Sequence, residues 1–169
     1  MILYHPATDF YHCWLRFSSL LSDDFDRPFE YDRLRIIDFF LCFPHEIEKC
    51  RIPAEYNTEL RRLVRSIPKG YEDRLSVRQA FKQMSSIQRH VAMDMVARGL
   101  IEKSSYQAGA IVPSSNQKGR QLLLNVANGF EMRSSNWYKA LIDSIGNIHL
   151  NGENGLKHRT GLLEFRYDE

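Results

Sequence analysis

Apolar residues near the start of the chain recur at helical spacing. Phe10, Cys13, Trp14, Phe17, Leu20 and Leu21 are separated by 3, 1, 3, 3 and 1, which lines one face of a helix. Asp9 stands where an N-cap belongs, because its carboxylate can accept a hydrogen bond from a free N–H of the first turn. The polar run Ser22-Asp23-Asp24-Phe25-Asp26-Arg27-Pro28 ends this helix. A second helix is predicted over residues 31–43, with Leu34, Ile37, Phe40 and Leu41 inward. Pro44 lacks an N–H and disfavours helix in the residue before it, so Phe43 is the stop. A third, over 54–66, carries Tyr56, Leu60, Leu63 and Val64 on one side and Arg61, Arg62 and Arg65 on the other.

In the middle of the chain, Pro68-Lys69-Gly70 is turn chemistry. Ser76 is expected to cap a short helix ending at Met84, with Val77, Ala80, Phe81 and Met84 inward. Ser85 and Ser86 are expected to cap the next, which runs to Arg98 with Ile87, Val91, Met95 and Val96 inward. Gly99 follows as a left-handed C-terminal cap. Residues 100–103 and 110–113 flank a polar turn and read as a β-hairpin. Helices, a short turn and a hairpin in that order describe a winged helix-turn-helix. The last third reads as helices over 122–127 and 137–148, a loop over 151–155 and a terminal strand over 162–167. The expected fold is mainly α, a helical scaffold containing a winged helix-turn-helix-like unit with a small β-hairpin. One domain is expected over 1–169: N-terminal aromatic helices to 53, the winged-helix-like region over 54–113, and the C-terminal elements from 114.

Composition adds little to this picture. The 43% of hydrophobic residues and 12% of aromatics suffice for a core and set the chain apart from disordered sequences. Asp38 interrupts the best apolar run, 36–43, which is far short of the ~20 residues a membrane helix needs. The opening lacks a basic segment followed by an apolar stretch, so no secretory signal and a cytoplasmic location are expected. Cys13, Cys42 and Cys50 are odd in number and lack metal-ligand spacing, which suits buried thiols in a reducing compartment.

Charge changes the picture more. Residues 1–48 carry 4 Lys/Arg against 9 Asp/Glu, residues 49–103 carry 12 against 6, and residues 104–169 carry 7 against 6. An acidic front and a basic middle predict a molecule with two faces. Arg61, Arg62, Arg65 and Lys69 form a basic patch, the expected site of DNA-backbone contact if DNA is touched. The outward positions of the expected recognition helix are Gln88, Arg89, Met93, Asp94 and Arg98. A central acid among few cations suits groove reading poorly, and an exposed methionine suits an adaptable protein contact. Arg89, Met93 and Arg98 are therefore the candidate partner-binding residues.

Catalytic signatures are missing. The sequence holds no G-x-S-x-G elbow, no cysteine-protease context, no phosphate-binding loop and no dinucleotide fingerprint. His5, Asp9 and His12 could approach one another but lack a fourth ligand, and Pro6 keeps His5 off the helix, so structural roles are preferred. Asp38 reads either as a buried carboxylate with a raised pKa or as a helix-surface acid beside Arg35 or another arginine, and the second is preferred. Glu46 and Glu48, two apart, do not share a helix face. No catalytic, cofactor-binding or metal-binding residue is named, no cofactor is expected, and the chain reads as a non-enzyme.

Two stretches carry a family resemblance: Leu3-Tyr4-His5-Pro6-Ala7-Thr8-Asp9-Phe10-Tyr11-His12 and Arg33-Leu34-Arg35-Ile36-Ile37-Asp38-Phe39-Phe40-Leu41-Cys42-Phe43-Pro44. They resemble the opening of the middle components of ABC-three-component systems, bacterial antiphage modules that include the Lamassu systems. The later order of elements, through Gly155-Leu156-Lys157 to Phe165-Arg166-Tyr167, is compatible. The resemblance implies a small non-catalytic subunit accompanying an SMC-like ATPase and an effector, often a nuclease. DNA would be met through the assembled complex, and no membrane is involved. The alternative from the helix–wing order is a free-standing winged-helix DNA-binding transcription regulator. A small enzyme using Asp38 or the His5/His12 pair has only those residues behind it.

Overall fold

Local capping chemistry sets the first elements. The computed structural model describes residues 5–23, 29–69 and 76–163. Asp9 Oδ1 accepts from the backbone N–H of His12 at 2.8 Å and starts α1, Phe10–Ser22. Helix α2, Tyr31–Cys42, stops at Phe43 because Pro44 opens a 3₁₀ turn, Pro44–Lys49. Eight of the twelve residues of α2 are buried, from Arg33 and Leu34 to Phe40 and Leu41, and it is the central helix. It packs against α1, against α4 (Val77–Ala97) and against α7 (Asn136–Ile145). Helix α3, Ala54–Val64, buries Leu60, Leu63 and Val64 and packs on α7. Helix α6, Gln117–Ala127, lies along α1, which also packs on α4.

The largest departure from expectation is α4. The turn expected between Met84 and Ser85 is absent, and residues 77–97 form one continuous helix. Ser76 does cap it, in a reciprocal box with Gln79. Ser85, however, points its hydroxyl back to the Phe81 carbonyl at 3.0 Å and accepts from Arg35 Nη2 at 2.6 Å. A serine satisfied this way continues a helix rather than starting one. The buried positions Ala80, Phe81, Met84, Gln88, Val91, Ala92 and Met95 keep one helical phase through the whole segment. Without that turn, the helix-turn-helix expected across 76–98 is not formed among the described residues.

The expected hairpin is also redistributed. Gly99 has φ +70, the left-handed conformation predicted for it. Beyond it, residues 100–103 and 110–113 meet in a single antiparallel bridge, Ile101 with Pro113, flanked by Glu102 N–H to the Val112 carbonyl at 2.9 Å. Between them lies a short helix, α5, Lys103–Gln107. The two-stranded antiparallel sheet is made instead by β1, Phe29–Glu30, and β2, Ala110–Ile111, paired Phe29 to Ile111 and Glu30 to Ala110. Tyr31 reinforces this pairing, donating its N–H to the Gly109 carbonyl at 2.8 Å and setting its ring edge-on to Tyr106.

Helices α6 and α7 stand where the two of the last third are expected, α6 starting five residues earlier and α7 ending three earlier, and α8, Leu156–Thr160, is an addition that Gly161 ends with φ +63. The terminal strand expected at 162–167 falls outside the described residues beyond Leu163. One buried apolar cluster runs from Ala7 to Leu162 and draws on all three stretches of the chain. Among the described residues, no helix is long and apolar enough to cross a membrane.

Candidate functional site

The acidic front is not an acidic face. Its carboxylates meet cations of the fold: Asp23 with Arg133 at 3.0 Å, Asp32 with Lys157 and with Arg35 of its own helix at 3.2 Å each, Asp38 with Arg16 of α1 at 2.6 Å. Glu30 is held by Arg33 and Glu46 by Lys49 at 2.7 and 2.8 Å. Asp24 and Asp26 lie outside the described residues. The two-faced molecule read from charge along the chain is corrected to acids paired within the fold, with cations of α4 and α6 left outward.

Asp38 corrects the preferred surface reading. It is 0% exposed, takes two hydrogen bonds from Arg16 (2.6 and 3.4 Å) and one from Gln88 Nε2 at 2.9 Å. Burial works against the charged form of Arg16, but the Asp38 carboxylate together with Cys42 and Cys13 outweighs it and raises the guanidinium pKa. Gln88, expected outward, is fully buried: its amide N–H groups reach Asp38 and the Arg35 carbonyl, and its oxygen accepts from Arg35 Nε at 3.2 Å. Arg35 in turn lies 4.9 Å from the Phe81 ring centre. Every arm of this network is occupied by the protein itself, so it ties α1, α2 and α4 together and offers nothing to a substrate.

The basic patch on α3 is partly engaged. Arg61 is held by the Asn57 side chain at 2.7 Å and the Glu48 carbonyl at 3.1 Å. Arg62 and Arg65 are exposed, with only long approaches to Glu59 (4.0 Å) and Glu48 (3.9 Å), and Lys69 is exposed. The patch thus holds three outward cations and one fixed one.

On α4, Arg89, Met93 and Arg98 all reach the surface, Met93 at 49% exposure. Asp94, the acid that argued against DNA, is not free: its Oδ2 accepts from Arg98 Nε at 2.7 Å and from the Trp14 indole at 3.0 Å. The Arg98 hydrogen bond, helped by Trp14, holds the Asp94 carboxyl below its ordinary value. Arg98 is therefore positioned while Arg89 stays free to meet a partner. Continuity of α4 also brings in Arg78 and Lys82, both exposed and both missed in the sequence. At 100° per residue, positions 78, 82, 89 and 93 fall within an arc of about 60° along ~22 Å of helix. Reading a helix break at Ser85 destroyed that phase; an unbroken 3.6-residue period would have found it.

The remaining candidates are structural. His5 Nδ1 accepts from the Ala7 N–H at 3.0 Å while its ring stacks on Phe43, with centres 5.1 Å apart. Among the described residues, no three His, Cys, Asp or Glu side chains converge as metal ligands would. Burial pushes the Cys13 thiol well up and that of Cys50 up to about 12. An open depression of about 610 Å³ lies between α6 and α7, and one of the carboxylates lining it, Asp23, is taken by Tyr138 Oη at 2.7 Å and by Arg133.

No curated protein and no solved structure matches this chain. A family model does, described as ABC-three component (ABC-3C) system Middle Component 5, and it matches residues 2–168. The chain belongs to that family, the middle components of ABC-three-component systems to which residues 3–12 and 33–44 show their resemblance.

Proposed function

We propose that this chain is the non-catalytic accessory subunit of an SMC-like ATPase complex in bacterial antiphage defence of the Lamassu type, bridging the ATPase and a nuclease effector. Its family carries the proposal: a middle component of a three-component system has partner subunits. The outward cations of α4, set beside an exposed methionine and a neutralised Asp94, support a docking role. The free-standing regulator reading has less support, because the separate short recognition helix it relies on is part of the continuous α4.

The direct test is co-purification with the ATPase of the same system. Wild type is expected to be retained, and Met93→Asp combined with Arg89→Glu to lower the retained amount about tenfold, as loss of an anchor and its flanking charge does at an interface. Failure of the wild type to associate overturns the assignment; full retention of the double variant moves the interface elsewhere.

DNA contact, in this reading, belongs to the assembled complex and uses Arg61, Arg62, Arg65 and Lys69 on the backbone. Changing all four to Glu is expected to weaken binding equally for unrelated duplex sequences. Each lost phosphate contact flattens the salt dependence by about 0.9 in the log–log slope. Sequence-selective binding by the isolated chain would point to the regulator instead.

A further inference from the structure

Helices α1, α4 and α6 pack against one another through α1, and they are almost free of negative charge. Across their 13, 21 and 11 residues the only carboxylate is Asp94, consumed by Arg98 and Trp14. Exposed cations remain: Arg78, Lys82 and Arg89 on α4, Lys118 and Arg120 on α6. The same three helices carry Tyr11 (80% exposed), Met93, Leu122 and Leu124, the exposed large apolar residues of the described chain. On α4 the exposed Met93 continues the line of Arg78, Lys82 and Arg89, and a basic helix face carrying an exposed apolar side chain suits binding better than plain solvation.

We infer that this face docks an acidic amphipathic helix of a partner subunit, with carboxylates along Arg78, Lys82 and Arg89 and an apolar residue on Met93. This rests on the reading of the chain as one subunit among partners. Three observations select the occupant. The cations follow a single straight line on a 21-residue helix, and a second helix presents side chains with the same rise. Met93, set in the line, gains nothing against the phosphates of a duplex, which weighs against duplex DNA along it. A second copy of the chain fits poorly, because among the described residues no helix carries more than two exposed carboxylates, Glu55 and Glu59 of α3, too few to follow the cation line.

The experiment is photo-crosslinking in the complex reconstituted from full-length subunits, with Met93→p-benzoylphenylalanine and, as a second probe, the exposed Ser86→p-benzoylphenylalanine. The cross-linked peptide is identified by mass spectrometry and should fall in an Asp/Glu-rich helix of a partner subunit. Alongside, Lys82→Glu with Arg89→Glu should weaken assembly about tenfold while leaving the far-ultraviolet dichroism of the chain unchanged, since both side chains are exposed. An intact complex with no cross-link from either probe overturns the inference and leaves the accessory-subunit reading standing. So does a cross-link to DNA, to a second copy or to a segment without acids, or an undiminished affinity of the charge-reversed chain. Absence of any complex with wild type overturns both.

Discussion

Asp38→Ala is expected to lower the unfolding free energy by about 3–5 kcal/mol, the loss found when one member of a buried ion pair is removed. That is a large part of the roughly 5–15 kcal/mol that holds a domain together. Arg16 is 3% exposed and has no solvent to turn to, so its charge would stay buried with only the Pro6 carbonyl, 3.0 Å from Nη1, as acceptor. Gln88 would lose one of its two acceptors as well. The size of the effect comes from the stranded charge and not from the attraction that is lost. Arg16→Met combined with Asp38→Leu should therefore cost far less than Asp38→Ala, because both desolvation penalties disappear together. Urea titrations with an unchanged m-value read the difference from the midpoints. A loss below about 1 kcal/mol for Asp38→Ala would falsify the view that this pair is desolvated.

What could be read from the sequence was set by local chemistry. Asp9, Ser76, Pro44 and Gly99 act on backbone groups within four residues, and each does in the fold what its position predicts. Ser85 is the same residue type as Ser76, yet Arg35, 50 positions away, decides its role. Polarity placed Gln88 outward; three hydrogen bonds to α2 place it in the core. Asp38 was read as meeting an arginine, and does, but the arginine is Arg16 on another helix and the meeting place is buried. The partner of β2 lies some 80 positions upstream at Phe29–Glu30, beyond the reach of any hairpin argument. The surface followed the same division. Arg89 and Met93 were legible because exposure on a helix is a matter of phase, and Arg78 and Lys82 were lost with the phase.

Arg33→Met should destabilise the chain nearly as much as Asp38→Ala, for a different reason. The Arg33 guanidinium, carried by α2, reaches the C-terminal end of α7 and donates from Nη1 to the carbonyls of Ile145 and Ile148, at 2.6 Å each. The last carbonyl of the helix, that of Ile145, has no intrahelical donor, and it is buried like that of Ile148 just beyond the helix. Leaving each unsatisfied costs about 1–3 kcal/mol, so a total loss of about 2–5 kcal/mol is expected. Glu30, the third partner at 2.7 Å from Nε, contributes little to that loss because its side chain is 43% exposed and water can replace the guanidinium. Arg33→Lys should recover only part, since an ammonium supplies one charge centre where a planar fork spans two carbonyls and a carboxylate. Amide exchange separates this from a general weakening: protection should fall first at the end of α7 and in residues 146–157, where Leu150 and Leu156 dock. Below its melting temperature the Arg33→Met chain should still assemble with its partner, because α4 and its exposed cations are untouched. Loss of assembly with the fold intact would instead place the docking surface near α7.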